Sequence, residues 1–213
     1  VAPLIAALFA LPVSASPGRA DTPVLADQIE LVVLEREILA IDVRGGGQVR
    51  ADLEIGEAVR WTGSRGRVGM ALTDRRLLAV STDSGAWQTL RYRRTESVPD
   101  DPLLGARVAL AQTGVRLIGF DGGSGNLVET TIGPHEALLE RAVGQNVAVV
   151  VTERRVLGLS PFRGGFFEAK LHLGEILESV TTRSDTATVR TSRRLLIFRA
   201  PTGTWEERRL DLH

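Results

Sequence analysis

Arginine and glutamate recur along this chain at matched spacing. Arg76, Arg116, Arg155 and Arg194 each precede by one residue an apolar position: Leu77, Leu117, Val156 and Leu195. Glu57, Glu96, Glu136 and Glu175 each follow such a position by nineteen residues, with Ile38 as the first of the series. Guanidinium and carboxylate at constant separation have two uses. They tie turns together as repeated ion pairs, worth about 0–1 kcal/mol each when exposed, or they present a ring of cations to an acidic partner. A feature present in every copy serves the copy, so structural pairs are expected: Arg76 with Glu96, Arg116 with Glu136, and Arg155 with Glu175.

Other chemistry is thin. His135, His172 and His213 share neither a repeat position nor a ligand spacing. The chain has no Cys, which rules out a thiolate nucleophile, a disulfide or a Cys-bound metal. No G-x-S-x-G elbow is present. "DGGSGN", Asp121 to Asn126, has too few carboxylates for a calcium loop, and no helix follows a Gly-rich turn to cradle phosphate. Asp42 and Asp121 occupy equivalent positions, four after the anchor. A glycosidase needs two carboxylates facing across a cleft, so a small carbohydrate hydrolase using acids on one face is the alternative to a binding protein. The reading is of a non-catalytic scaffold with no catalytic residue, no cofactor and no metal, binding an unknown protein or small ligand. The binding candidates are departures from the repeat. Gln112 and Arg190 are polar where Val33, Leu72 and Val151 are apolar, and Trp61 lies off the pattern beside "TGSRG".

These residues need elements to position them. The anchors Ile38, Leu77, Leu117, Val156 and Leu195 are separated by 39, 40, 39 and 39 residues. Gly stands eight after each, at Gly46, Gly85, Gly125, Gly164 and Gly203. Thr73, Thr113, Thr152 and Thr191 stand four before, with Leu34 as the exception, and Glu37 replaces the Arg of the first copy. Within a period the pattern alternates as strands do. "RVGMALT" turns at Asp74-Arg75 into "RLLAVST", and "DSGA" turns into "WQTLRYRR". A fourth segment follows, clearest as "EAVRWTG", "EALLERAV" and "EILESVTT". The Gly is expected to supply a positive φ between the second and third strands. Large residues on one face of the first strand (Met70, Leu72) alternate with small ones (Gly69, Ala71), a pattern that lets neighbouring sheets mesh. Trp87 and Trp205 open third strands and are expected to pack between units.

Four short antiparallel strands repeated at this period are the mark of stacked or radial sheets. In period and strand count residues 21–213 resemble the β-propeller superfamily, with neither the recurring Trp-Asp of WD repeats nor the fixed Gly-Gly of kelch repeats. The expected fold is all-β, a five-bladed propeller in one domain. The last copy offers three strands before His213, so "TPVLADQ", Thr22 to Gln28, is expected to complete the last blade and close the ring.

Residues 1–20 differ in kind. An apolar run from Ala2 to Val13 ends in small residues, as in a secretory signal peptide, and is shorter than the about 20 residues of a membrane-spanning helix. The expectation is a periplasmic or secreted protein with no integral membrane segment. Lys plus Arg and Asp plus Glu are 26 each, which gives no electrostatic case for nucleic acid. A monomer is expected.

Overall fold

The computed structural model describes residues 27–210. All nineteen elements among them are strands, arranged in five antiparallel sheets. Sheet I holds β1 (Ile29–Val33), β2 (Glu37–Asp42) and β3 (Gln48–Asp52). Sheet II holds β4 (Val59–Arg65), β5 (Val68–Thr73), β6 (Arg76–Ser81) and β7 (Gln88–Arg91). Sheet III holds β8 (Leu103–Leu104), β9 (Val108–Thr113), β10 (Arg116–Asp121) and β11 (Asn126–Thr131). Sheet IV holds β12 (Leu138–Val143), β13 (Ala148–Thr152), β14 (Arg155–Ser160) and β15 (Gly165–Lys170). Sheet V holds β16 (Leu177–Thr182), β17 (Thr186–Thr191), β18 (Arg194–Arg199) and β19 (Thr204–Arg209). Four-stranded meanders packed in sequence order, with β4, β8, β12 and β16 meeting one another along one side, are β-propeller blades.

Turn chemistry explains the repeat. The five repeat glycines have φ between 59° and 74°, the left-handed region that a Cβ disfavours. Each closes the turn into the last strand of its sheet by donating its N–H to the carbonyl four residues back, Gly46 to Asp42 and Gly203 to Arg199 among them. On the opposite rim, Thr73, Thr152 and Thr191 accept the N–H of the residue three further on, Arg76, Arg155 and Arg194, at 2.9–3.1 Å. Asp42 and Asp121 are turn caps as well. Asp42 accepts from the Arg44 N–H at 2.9 Å and Asp121 from the Gly123 N–H at 2.8 Å. They sit in different sheets, and each is engaged by its own turn.

Sheet faces mesh as their side chains anticipate. Met70, Leu72 and Leu77 of sheet II pack against Ala109, Ala111, Ile118 and Phe120 of sheet III, all fully buried. Val147, Val149 and Val151 of sheet IV meet Ala187 and Phe198 of sheet V. Glycine takes the small role where the partner is largest: a Cβ on Gly158 would sit 2.6 Å from the Phe198 ring.

Two expectations change. The segment read as the fourth strand of each copy pairs forward, as the first strand of the next sheet: β4 with β5, β12 with β13 and β16 with β17. The short hairpin turn at Gly66 joins β4 to its forward neighbour, whereas a longer loop separates it from β3. Sheet V holds four strands of its own, and most of Thr22–Gln28, expected to complete it, lies outside the described residues. The three-stranded sheet is I; of that N-terminal segment only Asp27 and Gln28 are described. Gln28 joins the chain to sheet II, its N–H donating to the Gly66 carbonyl at 2.7 Å. The row of packed sheets is also open among the described residues. Packing runs I to II to III to IV to V, and the described strands of V and I do not pack on each other as closely as those of consecutive sheets.

Candidate functional site

The repeated Arg and Glu are the staples between sheets, with a pairing shifted by one copy from the expected one. Arg76 meets Glu57 at 2.8 Å, Arg155 meets Glu136 at 2.8 Å, and Arg194 meets Glu175 at 2.8 Å; Arg116 pairs with Glu96. Each Glu lies in the loop that leaves one sheet, and each Arg opens the third strand of the next. The Arg also donates to a main-chain carbonyl at the end of the preceding sheet, Asp52 for Arg76 (2.6 Å) and Thr131 for Arg155 (2.6 Å). Thr152 and Thr191 donate to the same carboxylates at 2.6 Å. The side chains of Glu57 and Glu175 are fully buried. Burial alone would raise these carboxyls, but hydrogen bonds from Arg, Thr and a main-chain N–H outweigh it. Glu57, Glu136 and Glu175 are held down from 4.5 to about 2. Carboxylates fixed in the ionised form cannot serve as general acids, so the most regular acids of the chain are structural.

Sheet III departs from this arrangement. Glu96 Oε1, Thr113 Oγ1 and Arg116 Nε, which in other copies bond to their counterparts, are buried without partners, as is the Tyr92 hydroxyl. Tyr92 stands where Leu53, Ile132 and Leu171 stand in other copies, and it packs against the core between sheets II and III. Burial pushes its phenol pKa up.

What the staples leave is the opposite rim. The turns β4–β5, β8–β9, β12–β13 and β16–β17 crowd together where the first strands of the sheets meet. Successive turns are linked by main-chain bonds: Gln28 N–H to Gly66 O (2.7 Å), Arg67 N–H to Ala106 O (2.8 Å), Arg107 N–H to Gln145 O (2.9 Å) and Asn146 N–H to Ser184 O (2.7 Å). A cavity of about 310 Å³ opens there, lined by Gln28, Gly66, Arg67, Ala106, Arg107 and Asn146. Beside it a second cavity, about 460 Å³, is lined by Arg65, Thr182, Arg183 and Ser184 among others. Arg67 and Arg107 share one carboxylate, Asp83, at 2.8 and 3.2 Å. Two more carboxylates stand on this rim: Asp27 accepts from the Gly66 N–H at 2.8 Å and Asp185 from the Asn146 side-chain amide at 2.6 Å. With Arg65 and Arg183 the rim carries four guanidiniums to three carboxylates. Arg65 donates only to the Leu104 carbonyl, at 3.2 Å. No Asp or Glu is among the described residues lining either cavity. The arrangement provides planar cationic donors around concave space, which suits carboxylate or phosphate oxygens.

The candidates read from sequence separate. Trp61 is half-buried in β4, at a bulge between Val59 and Trp61. It lines a third cavity of about 490 Å³ with Arg65, Leu104 and Arg141. Gln112, in β9, turns back on its own hairpin and donates to the Gly114 carbonyl at 3.1 Å. Arg190, in β17, pairs with Glu178 at 2.7 Å on the outer face of sheet V. These three do not form one site. Gln28, Arg67, Arg107, Asn146 and Asp185 stand ten residues before the five anchors, and all are polar, a signal present in the spacing but not in a shared residue type.

No family model matches the sequence, and no curated protein matches it. Among solved structures, apo AztD from Citrobacter koseri is 12% identical over 86% of this chain and 60% of its own, with a TM-score of 0.41. Prp20p from Saccharomyces cerevisiae is 11% identical over 80% of this chain and 57% of its own, with a TM-score of 0.38. The WD40 domain of SCAP from fission yeast is 12% identical over 73% and 45%, with a TM-score of 0.36. The chain thus spans less than two thirds of the length of each of these.

Proposed function

We propose that this chain is a non-catalytic binding scaffold acting in the periplasm or outside the cell, and that it takes an acidic partner, a carboxylate-rich segment of protein, at the rim built by Arg65, Arg67, Arg107 and Arg183. The observation that carries this reading is the pair of guanidiniums sharing the single carboxylate of Asp83 beside a cavity with no acidic lining among the described residues. The leader-like run in residues 1–20 supports export. Among the described residues the repeated carboxylates are bound in the seams and Asp42 and Asp121 in turns, which favours binding over the paired-acid chemistry of a glycosidase.

The test uses the full chain expressed in a Gram-negative host. It is expected in the periplasmic fraction, shortened at its N-terminus. That material is expected to bind fluorescently labelled poly-glutamate, measured by anisotropy, and to bind less as salt rises. The double substitution Arg67→Ser/Arg107→Ser removes two charge-assisted contacts and should weaken binding about tenfold or more. Undiminished binding by that variant, or equal binding of a neutral polymer, would refute the acidic-partner reading. Retention in the cytoplasm at full length would refute export.

A further inference from the structure

Four seams between consecutive sheets follow one register. The residue two after an anchor faces the residue three after the next anchor: a Cβ on Gly119 would press on Leu159, and one on Gly158 on Phe198. The residue seven before an anchor faces the one eight before the next, as Leu31 covers Gly69. Sheets V and I each show a face that takes no part in these seams. On sheet V this face carries Leu195 and Ile197, on sheet I Leu39 and Ile41, and all four are only partly buried. At the same repeat positions Leu77, Leu78, Leu117 and Ile118 are fully buried. Among the described residues these two faces match, position for position, the two halves of a buried seam. In that register Ile197 falls opposite Ile41.

Polar replacements on the two faces complement each other. Sheet I has Glu30 where other sheets have Gly69, Ala109, Ala148 and Ala187. Sheet V has Thr188 at the facing position and Arg190 two residues along the same face, about 7 Å away. The Arg190 side chain is 58% exposed and is held by Glu178 alone. Glu37 stands where other copies have the stapling Arg, and the register sets it against the end of β19, at Arg209. Two charges run against this pattern: Arg50 on sheet I, across from Leu39, and Glu206 on sheet V, across from Ile197, the latter held by Arg199 and Arg208. A face meant only for water replaces its whole apolar row, as terminal caps of repeat stacks do; here four aliphatic side chains remain in register with the buried seams.

We infer that sheet V of one molecule docks on sheet I of a second copy of this chain, completing a head-to-tail seam. Such a contact is heterologous, because each copy offers one half at either end, and it generates a ring or a chain of copies.

The lack of native cysteine makes the test clean. Two single variants, Ile41→Cys and Ile197→Cys, are prepared in the full chain, with circular dichroism confirming the β fold. Under mild oxidation each alone should stay single on a non-reducing gel, while their mixture should give a cross-linked dimer as the main product. The double variant should give a ladder, and light scattering of the unmodified chain should show mass rising above one chain with concentration. A double variant that closes on itself as a fast-running single chain would overturn the inference in favour of a ring within one molecule. No cross-link in the mixture would overturn it in favour of solvent-facing ends.

Discussion

At the scale of the residue, the chain is organised by one carboxylate–guanidinium pair used four times. Arg194 shows what it does. Its side chain is 6% exposed and that of Glu175 is fully buried. Arg194 reaches Glu175, Glu207 at 2.7 Å and the Lys170 carbonyl at 2.5 Å. The exposed-pair value of about 0–1 kcal/mol does not apply, because removing one partner strands the other in the core. Arg194→Met should cost about 3–5 kcal/mol near neutral pH, measured by urea unfolding. The sign of the pH effect follows from the depressed carboxyls. Glu57, Glu136 and Glu175 lie near 2 when folded and near 4.5 otherwise. Their contribution is complete above 4.5 and is lost as pH falls toward 2. The parent chain should therefore lose stability steeply between about pH 4.5 and 2. The deficit of Arg194→Met should shrink over that range, because a protonated Glu175 no longer needs a cation. A deficit that stayed constant with pH would mean that Arg194 acts by packing alone. The Tyr92 seam follows the same logic with less satisfaction: Arg116 keeps Glu96 and Glu129 as partners, but its Nε is left without one.

At the scale of the element, the rim depends on how closely one hairpin turn approaches the next. Gly105 and Gly144 occupy equivalent positions, and a Cβ on either would strike main-chain oxygen: the Gly144 carbonyl for Gly105 and the Arg183 carbonyl for Gly144. Main-chain atoms cannot swing aside as a flexible side chain does. Gly144→Ala should cost about 1–3 kcal/mol and should widen the mouth, so the loss in melting temperature should come with weaker binding of an acidic probe. Stability unchanged within error would show that the turns are not held by contact. This packing was only partly legible in the sequence. The glycines eight after each anchor, the Thr, and the Arg and Glu positions declared themselves by spacing, because a turn of fixed geometry demands the same residue in every copy; which Glu each Arg meets did not. The allocation of strands to sheets did not. "EAVRWTG" alternates equally well whichever neighbour it joins, and only the tight turn at Gly66 decides that it belongs forward. The rim is illegible in the sequence for a different reason. Gln28, Arg67, Arg107 and Asn146 share a position but not a chemistry, so no repeated residue type marks them.

At the scale of the whole molecule, the sequence called for a ring because each sheet was apolar on both faces. That argument weighs Leu39, Ile41, Leu195 and Ile197 equally with their buried counterparts, and one-dimensional spacing cannot distinguish a seam inside the molecule from one that needs a second copy. The described sheets form an open row, which makes the stability of the molecule uneven. Each of sheets II, III and IV is covered on both faces, while I and V are covered on one. In a row of units joined by nearest-neighbour contacts, the end units lack one interface each and open first. Amide hydrogen exchange on the dilute chain should therefore be slowest in β9, β10, β13 and β14 and at least about tenfold faster in β2 and β18, which corresponds to roughly 1.4 kcal/mol in opening free energy. Equal protection in all five sheets at high dilution would mean that the ends are already covered within one molecule. Raising the concentration adds the decisive comparison. A head-to-tail seam covers one face of I and one of V at once, so exchange in β2 and β18 should slow together while β9 and β13 hold still.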